Sequence, residues 1–376
     1  MNETILTNAV IVTPQEAFSG TLVIRGDTIA EVARGASALT GAIDFGGDIL
    51  MPGVVDVHTD NLERQVQPRV HARWPSRSAM LAHDAQCAAA GVTTVLDALC
   101  VGDLGFEKDR IRTFREAVAD LDALAGTGTL RSDHFLHLRC ELPAEDMADL
   151  LAPVARHGAV RMVSVMDHTA GVGQYADIDR YRDLRRREGV AEAEIERGIA
   201  RQVAQRERLR EPNLRFVFEA TKGSGVAIAS HDDRTEAEVA QNAALGIRIS
   251  EFPVTLAAAL AAHAHGMRVI AGAPNIVRGG SHSGNVAVAE LIAAGAVDAL
   301  ASDYVPASLV EAAFIAASGI GLPAAVGMIT AAPAAMAGLD DRGTLASGLR
   351  ADLVRVRLHE GLPVVREAWR AGVRVA

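Results

Sequence analysis

Between residues 49 and 301, short apolar runs alternate with longer segments whose apolar positions recur every three or four residues. The runs have the pattern of strands buried on both faces, and the longer segments that of helices packed against them. Together they predict βα units and a parallel sheet. The first run, within residues 49–62, reads as a strand with Pro52 and Gly53 at its start, where a missing donor does least harm. Further strands are expected at 93–99, 134–141, 160–167, 226–230, 247–252, 268–273 and 297–301. Intervening helices are expected near 76–90, 106–124, 144–157, 235–245, 256–265 and 285–294. Eight strands is the number that closes a (β/α)8 TIM-type barrel. An excursion at 169–225, rich in arginine and glutamate over 181–211, interrupts the alternation and reads as mostly solvent-facing helix.

The two ends of the chain have a different rhythm. Short strand patterns at 4–13, 20–25 and 28–32 are joined through Gly26-Asp27 and Gly35, and similar patterns return at 351–356, 364–369 and 373–376. Neither end has enough apolar residues for a core, so the two are expected to pair into a small β-sandwich. The domain reading is therefore a composite sandwich of 1–48 and 342–376 around a barrel of 49–341.

Composition narrows the class. A hydrophobic content of 49% with 22% charged residues describes a globular chain with a large core. The net charge of −10 argues against nucleic-acid or membrane-surface partners, which attract basic faces. Cys87, Cys100 and Cys140 show no Cys-x-x-Cys spacing and read as reduced, buried thiols. With no signal-peptide pattern at the start, a cytoplasmic location is expected. Only two of the 37 basic residues are lysines, Lys108 and Lys222, so a metal site bridged by a modified lysine has almost no candidates.

The expected strand ends carry the chemistry. The first ends in His58 and Asp60, the third in Glu141, the fourth in Asp167-His168, the fifth in His231-Asp232-Asp233, and the eighth in Ser302-Asp303. A barrel keeps its active site at the carboxyl ends of its strands, and these are metal-ligating residue types. Any one of them alone reads as a loop, cap or ion-pair residue; their joint recurrence favours a metal site. Six ligands (His58, Asp60, Glu141, His168, His231 and Asp303) are too many for one tetrahedral ion, so a pair of divalent cations is expected, with Glu141 as the bridge. Zinc is the first choice, with manganese or iron as alternatives. Asp303 is the expected acceptor of the proton from the attacking water.

After the seventh strand comes Gly272-Ala-Pro-Asn-Ile-Val-Arg-Gly-Gly-Ser-His-Ser-Gly-Asn285. Gly279 and Gly280 would let backbone donors approach an anion, and Arg278, Ser281, His282 and Ser283 add side-chain donors. A helix start near Asn285 completes a phosphate-binding pattern, set against a connecting loop that needs its glycines for turns. The stretch from Asn61 through Arg64 to Trp74 reads equally as a second phosphate clamp or as a solvated lid. His134, His137, His157, His263 and His265 read as structural.

These motifs carry a resemblance. Pro-Gly-Val-Val-Asp-Val-His-Thr-Asp-Asn-Leu-Glu-Arg, His-Leu-Arg-Cys-Glu, Ser-Val-Met-Asp-His-Thr, Ala-Ser-His-Asp-Asp, the glycine-rich run and Ser-Asp-Tyr-Val-Pro occur in that order. The set resembles the diphosphatase family of the carbon–phosphorus lyase pathway, a branch of the amidohydrolase superfamily, over nearly the whole chain. The superfamily more often has His-x-His on the first strand, so Asp60 is a departure from it. The resemblance implies hydrolysis of a small-molecule ribose triphosphate phosphonate at the α-phosphorus with release of diphosphate. It also implies that His282 or Arg278 neutralises the leaving group. A homo-oligomer such as a dimer is expected. A metal-dependent deacetylase or cyclic amidase acting on a C–N bond stays open as the alternative, as does a scaffold that has lost its chemistry.

Overall fold

The computed structural model describes residues 3–69, 72–105, 109–281 and 284–376. The chain begins with five strands, β1 (Glu3–Val12), β2 (Ala17–Arg25), β3 (Thr28–Arg34), β4 (Ile43–Asp44) and β5 (Ile49–Pro52). Eight strands follow, β6 (Val54–Thr59), β7 (Val92–Val101), β8 (Asp133–Glu141), β9 (Val160–Met166), β10 (Ala227–His231), β11 (Ile249–Glu251), β12 (Arg268–Gly272) and β13 (Ala299–Ala301). The last three are β14 (Leu353–His359), β15 (Leu362–Arg370) and β16 (Val373–Arg374).

Strands β6 to β13 pair in sequence order, each parallel to the next. A bridge from Thr59 to Asp303 joins the first of them to the end of the last. One core cluster draws a side chain from every one of these strands: Val55, Leu96, Phe135, Met162, Ala229, Ile249, Ile270 and Ala299. Only the interior of a barrel collects residues that way. Ala334, Ala337 and Leu339 belong to the same cluster and close one end. Two larger cores pack helices against the barrel's outside, which is why β7 is buried at all ten of its positions.

The terminal strands make one mixed sheet in the order β16-β15-β14-β5-β1-β2-β3, with β4 beside β1. Leu6, Ile11, Leu22 and Ile24 from one end of the chain share a core with Leu353 and Trp369 from the other. The run expected as a single strand from Ile49 is thus two strands in two sheets. Ile49–Pro52 pairs with β1 and β14, and Val54–Thr59 enters the barrel. Gly53 makes the crossing, where a Cβ would overlap Thr93 and crowd Asp352.

Other elements also differ from their expected bounds. The third expected helix is short, Met147–Leu151, and helices Ser308–Ile320, Leu322–Gly327 and Ala331–Met336 follow the last barrel strand. The excursion is helical as expected, at Ile178–Arg187 and Glu192–Thr221. Among the described residues, no helix is long and apolar enough to cross a membrane.

Candidate metal centre

Alternation along a strand places His231 on the same face as Ala229, and Glu251 on the same face as Ile249, so both stand just above the barrel's interior layer. His58 and Asp60 arrive from the end of β6, His168 from the end of β9, and Asp303 two residues beyond β13. Three residues at these exits hold left-handed backbone: Asp232, Phe252 and Asp303, with φ of 59°, 52° and 56°. Such a conformation in a non-glycine residue costs on the order of 1–3 kcal/mol and persists only where its surroundings enforce it. At Asp303 they do so visibly. Its N–H donates to His58 O (3.0 Å), its carbonyl accepts from Asp60 N (2.5 Å), and Ser302 N donates to Asp56 Oδ1 (3.1 Å).

Ligand atoms converge in overlapping groups, each within 4.8 Å: His58, Asp60 and Asp303; His168, His231 and Asp232; His58, His231 and Glu251. His58 Nε2, His168 Nε2 and His231 Nε2 are buried with no hydrogen-bond partner among the described residues, and His231 Nδ1 faces Asp232 Oδ2 at 3.1 Å. An unpartnered buried nitrogen is costly, and three imidazoles left that way among carboxylates fit a divalent cation. Two of the rings are anchored through their other nitrogen. His58 Nδ1 donates to Glu251 Oε1 (2.7 Å), whose other oxygen accepts from Ser164 Oγ (2.7 Å). His168 Nδ1 and backbone N both donate to Glu141, at 2.6 and 2.9 Å. Arg139 Nη1 donates to both oxygens of Asp60, at 2.8 and 3.0 Å. Carboxylates behind ligating imidazoles fix ring tautomer and orientation.

Electrostatics follow from this packing. Burial opposes charge on His58 and His168, but the Glu251 and Glu141 carboxylates outweigh it and raise them to about 10 and about 9. Asp60 and Asp232 are held well below the usual carboxylate range despite burial, Asp60 chiefly by Arg139 and Asp232 by His231. Asp303 moves the other way, to about 6, through burial and the adjacent Asp60 charge.

His58, Asp60, His168, His231 and Asp303 therefore come together, and all five line a cavity of about 770 Å3. Glu141 does not stand between the imidazole groups as the expected bridge; both its oxygens are engaged by His168, so it anchors that ring. Arg278, Ser281 and Asn285 line the cavity, whereas Gly279 and Gly280 shape the turn beside it. His282 and Ser283 lie outside the described residues. No helix starts at Asn285: the next one is Val288–Ala293, and Asn285 N instead donates to Ser281 Oγ.

Asn61 and Arg64 are directed elsewhere. Asn61 is buried and donates to His83 Nδ1 and Gln86 Oε1. Arg64 donates to Tyr304 O (2.7 Å) and so braces the turn that carries Asp303. Glu251 and Asp232 were not among the expected ligands. Glu251 ends the sixth barrel strand, Ile249–Glu251, one residue short of the exit expected at Phe252. Asp233, which shares the motif with Asp232, has a structural role, accepting from Ser230, Ser250 and Asn242. A further grouping of His83, Asp97 and His134 lies behind β7, with its nitrogens all hydrogen-bonded.

An eight-stranded parallel barrel with imidazoles and carboxylates at its strand exits, carrying a sheet built from both chain ends, is a fold shared with solved amidohydrolases. Solved structures agree on the fold. N-isopropylammelide isopropylaminohydrolase from Burkholderia multivorans has a TM-score of 0.65 at 19% identity, covering 100% of this chain and 98% of that one. The 5-methylcytosine deaminase from Klebsiella pneumoniae, liganded with 5-fluorocytosine, has a TM-score of 0.65 at 15% identity, covering 99% and 97%. No family model matches the chain. The chain belongs to the family of the alpha-D-ribose 1-methylphosphonate 5-triphosphate diphosphatase of Escherichia coli (strain K12). It is 40% identical to that protein over 376 residues, 99% of this chain and 100% of the relative.

Proposed function

We propose that this protein hydrolyses alpha-D-ribose 1-methylphosphonate 5-triphosphate to 5-phospho-alpha-D-ribose 1-methylphosphonate and diphosphate. The observation that carries the reading is one cavity joining the inward Nε2 atoms of His58, His168 and His231, none of them hydrogen-bonded, to an arginine-bearing wall. Such a site suits a polyphosphate better than a neutral amide. The expected cofactor is a pair of divalent cations, zinc first and manganese or iron next, held by His58, Asp60 and Asp303 on one side and His168, His231 and Asp232 on the other. When bound, divalent cations supply positive charge to the phosphoryl oxygens and make water a better nucleophile at neutral pH.

The chain's own residues do the rest. Glu251, Glu141 and Arg139 hold His58, His168 and Asp60 in position, so little reorganisation is needed during reaction. Asp303, with its carboxyl raised to about 6, takes the proton of the water that attacks the α-phosphorus. The bond from the α-phosphorus to the α,β-bridging oxygen breaks, and its electron pair leaves with the diphosphate. Arg278 and Ser281 receive that group, and His282 on the same loop is assigned to neutralise it.

The test is hydrolysis of the ribose triphosphate by metal-loaded protein in 18O-enriched water, followed by phosphorus NMR. The expected products are pyrophosphate without label and a sugar phosphate carrying the label. Orthophosphate as the sole inorganic product, or label in pyrophosphate, overturns attack at the α position. Release of ammonia or acetate from amide substrates, with no pyrophosphate from the triphosphate, transfers the protein to the C–N hydrolases.

A further inference from the structure

The segment between β9 and β10 carries a cluster of arginines, and helical spacing sorts their partners. On the helix Ile178–Arg187, Arg182 pairs with Asp179 and Glu196, and Arg186 with Asp183 and Glu192. Those four acids are all well exposed, so this is the solvent face. Arg185 lies one turn beyond the buried Tyr181, and positions four apart share a face. It accordingly turns inward to line the cavity above the imidazole cluster, where Glu188 holds its Nη1 at 2.5 Å.

Two other arginines reach the same cavity from different loops. Arg110 starts the helix that follows β7 and lines the cavity, with its Nε 3.5 Å from Glu63. Arg278 comes from the segment after β12. A fourth, Arg139, is already engaged with both oxygens of Asp60. The excursion also touches the glycine-rich run directly: Gly284 has φ of 75°, and a Cβ there would overlap the Arg180 guanidinium. These two walls are in contact, so Arg185 and Arg278 belong to one continuous lining.

We propose that Arg185, together with Arg110, forms the subsite for the two terminal phosphates of the substrate, which makes the excursion the element that selects triphosphates. This rests on the diphosphatase reading and extends it to residues outside the glycine-rich run. When the bond from the α-phosphorus to the bridging oxygen breaks, the departing diphosphate keeps the electron pair and gains negative charge. A planar guanidinium can meet that charge with forked hydrogen bonds, which a lysine cannot reproduce.

The test compares metal-loaded wild type with Arg185→Ala and Arg185→Lys. It reads KM for the ribose triphosphate, product inhibition by inorganic pyrophosphate, and direct titration with pyrophosphate against orthophosphate. Loss of one charge-assisted contact is expected to raise KM and the pyrophosphate inhibition constant together, roughly 10- to 100-fold in the alanine variant. The lysine variant should fall in between. Orthophosphate binding should move less than pyrophosphate binding. Unchanged pyrophosphate affinity in both variants overturns the assignment, as does a fall in kcat alone with both constants unmoved. If the wild type releases no pyrophosphate from the triphosphate, the diphosphatase reading fails. The titration then still decides the subsite, which stands only if pyrophosphate binds and Arg185→Ala weakens it.

Discussion

The buried His134 gives the sharpest stability prediction. Its Nδ1 donates to Asp97 Oδ2 at 2.9 Å, and its Nε2 faces Asp84 Oδ1 at 3.4 Å. Asp97 also accepts from His83 Nε2 at 2.7 Å. Burial alone would push the His134 imidazole down, but these two carboxylates prevail and raise it from 6.5 to about 9. A raised folded-state value means that the stabilisation is fully present below pH 6.5 and is lost as pH climbs through about 9. The difference corresponds to about 3 kcal/mol, and because the side chain is shielded from solvent little is lost to screening. For a chain of 376 residues that is a shift of roughly 4 °C in Tm.

The assay is thermal unfolding of metal-loaded wild type and His134→Gln across pH 6 to 9.5. Metal loading is expected to engage His58 and His168, and taking the difference between the two proteins cancels other titrations. The stability gap should be widest at the acid end and should close with rising pH. Parallel curves would show that the His134 ion network contributes no pH dependence and would refute the reasoning.

Three further outcomes are expected. Glu251→Gln removes the carboxylate that anchors His58 and should weaken metal affinity roughly 10- to 100-fold in a chelator competition; parental retention would exclude an anchoring role. Asp303→Asn should keep metal content near that of the parent while lowering turnover roughly 10²- to 10⁴-fold, and unchanged turnover would remove Asp303 as proton acceptor. Gly53→Ala places a methyl group against Thr93 and Asp352 and should destabilise by about 1–3 kcal/mol in chemical unfolding; an unaltered midpoint would mean the two sheets can separate there without cost.

Much of the barrel was legible because parallel strands buried on both faces write long apolar runs, and because His58, His168, His231 and Asp303 stand where those runs stop. What the pattern could not supply was direction. Glu141 ends its strand as expected, yet the side chain turns toward His168 instead of standing between the imidazole groups. Asn61 follows Asp60 in sequence but faces His83 and Gln86, because the helix Asn61–Val66 begins there and rotates it away. Glu251 escaped notice because the apolar run continues through Phe252 and masked the exit. Arg185 was hidden in an arginine-rich stretch that reads as solvated, although its spacing from Tyr181 marks the inward face. Pro52-Gly53 looked like a strand entrance and is a crossing between sheets, a distinction that depends on residues three hundred positions downstream.

That crossing has a consequence for biosynthesis. In the finished sheet β5 lies between β1 and β14, with Met51 opposite Val354 and Asp48 gripped by Arg355 and Arg357. While the ribosome is still making the barrel, β5 has no neighbour on one side, and its ladder groups remain available to any passing strand. Premature termination before residue 353 would leave that edge permanently bare on an otherwise formed barrel, and such fragments should aggregate.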